Sequence, residues 1–295
     1  MGDAPSLQLF LESWELFRDP LLTGAVAGAV LGYLGVFVVL RRMVFVAAAL
    51  SQAAGLGVAL AFFFQIHLGA MAMLADPRLF AIALTLGVTW LLTWPGKKRI
   101  SREGLLALAY LLGGGGALMI GTRISQEAHD IQAILFGTGV LVGPEDMAWT
   151  LAVGGVVLAW QLWWRRGFLL ASLDPEGARV RGLPVALLDA ALMIAVAVLV
   201  SVATRALGAL PVFAFSVLPA LAAVAIAPSP AWALAIATTL GLTAGAGGYM
   251  LAFFGELPVG ASQTFVAGAF VVLALLVRGL GALPALLRSP ESATR

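Results

Sequence analysis

The residues that could do chemistry in this chain are few, and they are widely spaced. Two histidines, His67 and His129, fall beside apolar stretches rather than within them, and the second adjoins Asp130. A metal cage needs several converging ligands, and two separated histidines make a poor one. Cysteine is absent, which removes disulfides, thiolate metal sites and a thiol nucleophile. Asp189 is the only carboxylate placed within an apolar stretch, near its end, where a structural ion pair is favoured over a proton relay. Ser51 and Gln52 are polar residues about two turns into another apolar stretch. They either bond to a neighbouring helix or face a water path. Gly113–Gly116 is no phosphate loop, since no G-K-[ST] follows it. Gly96-Lys97-Lys98 lacks both the leading glycine spacing and the Ser/Thr.

One polar segment is richer. FLLASLDPEGARVRGLP, from Phe168 to Pro184, offers Asp174 as a helix N-cap, Pro175 at the first helical position and Glu176 in the first turn. Gly182 then suits a C-terminal stop before Leu183-Pro184. A short helix bearing Arg179 and Arg181 either docks into another protein or serves as a solvated connector.

These groups must be positioned by elements that are almost wholly apolar. The chain has 295 residues, 61% of them hydrophobic and 11% charged, with a mean hydropathy of +1.02. Soluble domains carry about 25% charged residues, so lipid must cover much of this exterior. The expected fold class is an all-α polytopic integral membrane protein. A span needs about 20 apolar residues, and nine stretches qualify: 21–40, 44–66, 79–94, 105–121, 148–164, 186–203, 210–227, 231–253 and 262–277. The run Ile131–Val142 is short enough to be re-entrant or interfacial. No cleavable signal peptide is expected near the acidic start of the chain. No stretch is left over for a soluble domain of any size, so ATP hydrolysis would fall to other chains.

Basic residues orient the spans. With the loops after the first, third and fifth spans inside, thirteen of the 17 Lys and Arg residues lie inside. Arg18, Arg78, Arg123 and Arg205 lie outside. Residues 1–20 then form an extracytoplasmic segment, 21–279 the transmembrane domain and 280–295 a cytoplasmic tail. A pI near 9.4 is therefore a matter of membrane topology and not of nucleic-acid binding. Glycine runs at Gly24–Gly35, Gly113–Gly116 and Gly241–Gly248 suit close helix packing, and Pro211, Pro219 and Pro258 sit in or beside spans.

Across about Leu21 to Val277 the chain resembles the permease subunits of the ATP-binding cassette (ABC) family that imports zinc, manganese or iron. The resemblance runs through RRMVFVAAALSQAA (Arg41–Ala54), ILFGTGVLVGPED (Ile134–Asp146) and SLDPEGARVRGLPVALLD (Ser172–Asp189). It continues in GALPVFAFSVLPALAA (Gly208–Ala223) and FGELPVGASQTF (Phe254–Phe265). It implies a type II importer-like bundle of eight or nine helices in a bacterial cell membrane. It also implies a second permease copy, two copies of an ABC ATPase that uses the ATP, and an extracytoplasmic metal-binding protein. No cofactor is implied for this chain. Asp174, Pro175, Glu176, Ala178, Arg179, Gly182, Leu183 and Pro184 would form the coupling helix against the ATPase. Where that family has Asp and His on one helix face, this chain has Ala48 and Gln52. Carriage of a bare metal with ligands from elsewhere, carriage of a chelate, and loss of transport are three readings of that change. Ser51 and Gln52 remain the candidates for the pathway lining. An ion-gradient carrier or an intramembrane protease would need midplane ionisable groups or a histidine within a span.

Overall fold

The computed structural model describes residues 7–67, 76–93, 101–124 and 142–286, with twelve helices among them. A short α1 (Leu7–Glu12) leads into α2 (Trp14–Leu40), α3 (Val44–His67), α4 (Pro77–Thr93) and α5 (Arg102–Ile124). Then come α6 (Pro144–Trp163), α7 (Arg165–Leu173), α8 (Pro175–Val180) and α9 (Val185–Leu207). The bundle closes with α10 (Ala209–Ile226), α11 (Pro230–Gly255) and α12 (Val259–Leu286). Helix is the one way an open chain satisfies its own backbone in hydrocarbon.

Seven of these helices are long and apolar enough to cross a bilayer, and an eighth crossing results if α6 and α7, bent by 73° at Trp164, count as one broken span. The remaining apolar helix, α4, has 17 residues and rises about 25 Å. This is the polytopic all-α bundle expected of the sequence. The first span begins earlier than residue 21, because α2 starts at Trp14 and runs through Pro20. Asp189 is also not the sole carboxylate in a span-forming helix: Asp19 of α2 and Asp146 of α6 are both buried. Each follows a charged residue, Arg18 or Glu145, at the edge of an apolar stretch, so each reads as a loop residue until the helix is seen to extend past it. Most of the run Ile131–Val142, together with His129-Asp130, lies outside the described residues.

The centre of the bundle is α2, in which every residue from Ala27 to Val38 is buried. Lipid tails are as apolar as leucine, so the helices gain from close packing rather than from escape from water. The glycines supply that packing. Gly24, Gly28 and Gly32, one turn apart, face Gly245, Gly241 and Ala237 of α11. A methyl at Gly28 would stand 2.2 Å from the Gly241 carbonyl oxygen, and one at Gly241 would stand 2.0 Å from that of Gly28. Farther along, Gly35 meets the Ser216 carbonyl of α10 in the same way. Gln263 of α12 locks the outer part of this seam by donating from Nε2 to the Gly245 carbonyl at 3.0 Å.

Charged turns gather at the two ends. Arg41, Arg42, Arg102, Arg165 and Arg166 share one end with α7 and α8, tied there by contacts from Arg41 to Ser172 and Asp189 and from Arg102 to Met43. Arg78 and Arg205 share the other.

Overpacking a filled interface costs about 1–3 kcal/mol. Gly28→Ala is therefore expected to lower the melting temperature of the detergent-solubilised protein. Gly247→Ala, at an exposed position with open space around it, should leave the melt unchanged.

Candidate functional site

The segment 174–184 folds as its residue types dictate. Asp174 caps α8, accepting the Gly177 N–H at 2.9 Å, with Pro175 in the first turn. The helix ends when Gly182 takes a left-handed φ of 78°. Its N–H donates to the Arg179 carbonyl at 2.9 Å, and that of Leu183 to the Ala178 carbonyl at 3.0 Å. This paired closure is the motif a C-terminal glycine permits. Ala178 is fully buried and anchors the helix in the main core. Asp174, Pro175, Glu176, Arg179, Gly182 and Pro184 stay exposed, and Leu183 is half-buried. Val180 is 89% exposed at the tip of the basic end and was absent from the sequence candidates. An isolated valine in a polar segment gives no sequence signal of its own.

Behind α8 lies an ionic clamp. Arg41 of the α2–α3 turn donates from Nε to Ser172 Oγ at 2.8 Å and from Nη1 to Asp189 of α9. Ser172 in turn donates to the Phe168 carbonyl at 2.6 Å. Phe168 is fully buried, edge-on to Phe37 of α2 and Trp160 of α6. Through these contacts α7 is joined to α2, α6 and α9. Asp189, read as a structural pairing group, is here the counter-ion of Arg41.

About two turns into α3 the pathway candidates separate. Ser51 is buried, and its hydroxyl donates to the Ala48 carbonyl at 2.9 Å. Ala48 is buried as well. Gln52 is half-buried and packs on Gly113 and Gly114 of α5, where a Gly114 methyl would stand 3.1 Å from its Oε1. The run Gly113–Gly114 thus makes room for the Gln52 backbone and amide. Among the described residues no group of three or more His, Cys, Asp or Glu side chains could hold a metal.

At the opposite end Asp146 of α6 draws two helices together. Arg78 of α4 donates to its Oδ1 from Nη2 at 2.9 Å and Nε at 3.2 Å, and Arg205 of α9 approaches Oδ2 at 3.7 Å. Glu145 adds a 3.2 Å contact to Arg78. The guanidinium of Arg78 also lies 5.8 Å over the Trp149 ring, and that of Arg205 lies 5.4 Å over Phe62. A cavity of about 340 Å³ opens above them, reaching Gln65 and Asp76. No spacing rule links residues 78, 146 and 205, so this cluster escaped the sequence reading.

A multi-span bundle of apolar helices, closed by ion pairs at one end and presenting a capped surface helix at the other, is the architecture of a membrane transport permease. The chain belongs to the ABC 3 transport family, whose model matches residues 13–278. It is 26% identical over 272 residues to the manganese transport system membrane protein MntC of Listeria monocytogenes, covering 91% of this chain and 94% of that one. It is 27% identical over 268 residues to the high-affinity zinc uptake system membrane protein ZnuB of Haemophilus influenzae, covering 90% and 98%. In fold it resembles a chain of PsaBC from Streptococcus pneumoniae, solved in complex with a Fab, with a TM-score of 0.79 at 24% identity over 90% of this chain and 93% of that one.

Two outcomes check these contacts. Asp174→Ala removes a cap worth about 1 kcal/mol, so amide exchange across 174–183 should accelerate while the transmembrane helices keep their protection. Asp146→Asn weakens charge-assisted bonds worth roughly 2 kcal/mol and should lower the melting temperature, with Glu145→Gln, at a more exposed carboxylate, having less effect.

Proposed function

We propose that this chain is the permease subunit of an ABC importer for a divalent metal ion, with manganese and zinc the leading candidates. The observation that carries this reading is the capped helix α8. It presents Glu176, Arg179 and Val180 outward from a buried Ala178, in a chain whose relatives are named for manganese and zinc transport. Two copies of the permease would pair around the pathway, with two ATPase chains below and an extracytoplasmic binding protein above.

In this reading, closure of the ATPases on ATP pushes against the exposed face of α8. Ala178 and the Asp174 cap make α8 move as a unit with α7. The Arg41 clamp and Phe168 pass the motion to α2 and α9. At the far end, the ion pairs of Asp146 hold α4, α6 and α9 together until the motion separates them, so the two ends need not open at once.

The ion's path would pass Gln52, the half-buried amide on α3. Ala48 offers no ligand, and the Ser51 hydroxyl is engaged by its own helix. A neutral amide binds a transition metal much more weakly than a carboxylate with an imidazole. Weak holding suits an ion that keeps part of its water shell and leaves quickly.

Deleting the gene under chelator limitation and measuring total cell zinc, manganese and iron by mass spectrometry tests the reading. A fall in one metal, restored by the gene on a plasmid, is the expected result. No change in any metal, with the protein verified in the membrane, overturns it. Val180→Asp should abolish restoration while leaving the protein inserted and abundant, because it places a charge where an apolar contact is required. Gln52→Ala should reduce uptake without altering co-purification of the ATPase.

A further inference from the structure

Two polar groups lie buried in the apolar core without partners. Gln161 of α6 is fully buried, and neither its Oε1 nor its Nε2 has a hydrogen-bond partner among the described residues. Tyr33 of α2 is buried too, and its Oη is likewise unpartnered. An unpaired amide or hydroxyl is costly in such surroundings, and nearly all buried polar groups are paired.

The helices bring the two groups to one level. Gly154 of α6 faces Val26 and Val30 of α2 and Leu199 of α9. Helices α2 and α6 run in the same direction, from the Asp146 end toward the Arg41 end. Two turns beyond Gly154, about 10 Å along the axis, the same face of α6 carries Gln161 at the level of Tyr33 and Phe37. The rings around it fit this register: Trp160 meets Phe168, Phe168 meets Phe37 and Phe37 meets Tyr33, each edge-on. Gln161 also lies one turn before Trp164, where the chain bends by 73° from α6 into α7. Proline, a frequent cause of such kinks, is absent between Pro144 and Pro175. The angle of this elbow is therefore set by the contacts around it, and beyond it α7 leads directly to Asp174 and α8.

We infer that Gln161 and Tyr33 are the two halves of a hydrogen bond that forms when the α6–α7 elbow changes its angle, stabilising a second conformation of the permease. In the described conformation both groups are unpaired, which favours departure from it. In the second they satisfy each other, and this difference between the two states is what shifts the equilibrium. Neither group needs to touch the ion: both are positioning residues for α7 and, through it, for α8. The inference rests on the chain alternating between two conformations during transport, and it is independent of which ion is carried.

The test removes one partner at a time. Gln161→Met keeps the length of the side chain without its amide, and Tyr33→Phe removes only the hydroxyl. Each takes an unpaired polar group out of the core of the described conformation, so each should raise the melting temperature or leave it unchanged. The elbow is followed by the distance between spin labels on cysteines introduced as Val156→Cys in α6 and Leu173→Cys in α7. Both positions are exposed, and the chain is otherwise cysteine-free. The labelled protein is placed in nanodiscs with its co-purified ATPase, with and without ATP. Two distances are expected, and the share of the second should fall about fivefold in either variant, the factor one net hydrogen bond supplies. The double variant should show the same fall and no more, because loss of either partner already removes the bond. A lower melting temperature in Gln161→Met overturns the inference, since the amide is then already satisfied, as by a buried water. Effects that multiply in the double variant overturn it, as does a single distance under every condition. Two distances that respond to the variants but not to ATP uphold the pairing and count instead against the ATPase as its driver.

Discussion

The close contact of α2 with α11 is the constraint on which the rest of the bundle depends. Within lipid, apolar surface gains little by hiding from its surroundings, so the stability of a helix pair rests on how near two backbones can come. The glycines at 24, 28 and 32 set that distance against Gly245, Gly241 and Ala237. With α2 held at the centre and buried over twelve consecutive residues, from Ala27 to Val38, its neighbours α6, α9 and α10 take their positions from it. A wider α2–α11 spacing would displace the Arg41 turn at one end and the Phe10, Phe17 and Phe253 aromatic contacts at the other.

The two ends of the molecule use charge differently. At the basic end Arg41 joins the α2–α3 turn to α7 and α9, and α8 beside them presents an exposed face. At the other end Asp146 joins α4 and α9 through two arginines. Both ion pairs are partly shielded from water, where Coulomb attraction is stronger than at an open surface. The half-buried Gln52 lies between them, packed against glycine rather than against charged ligands. The arrangement places ionic contacts at the ends and an uncharged, half-buried amide between them.

The resemblance carried by Ser172–Asp189 proved a sound guide to family, and the short helix within that segment follows local backbone rules. Asp174, Pro175 and Gly182 each act within a few residues of their own position, so capping and termination could be read directly. Ser51 and Gln52 were harder to separate by sequence, since adjacent polar residues point to different sides of a helix. The structure gives Ser51 to its own backbone and turns Gln52 toward Gly113 and Gly114.

By itself the sequence determined the membrane class, the order of the apolar helices, the separation of basic residues between the two ends and the short helix at 175–180. All of these follow from composition, run length and contacts within one or two helical turns. Only the tertiary structure decided that Arg41 would meet Ser172 and Asp189, 131 and 148 residues away. It alone brought Asp146 between Arg78 and Arg205, and it alone set the register of the α2 glycines against those of α11. These contacts depend on how helices rotate and slide against one another, and local periodicity carries no information about a partner's rotation.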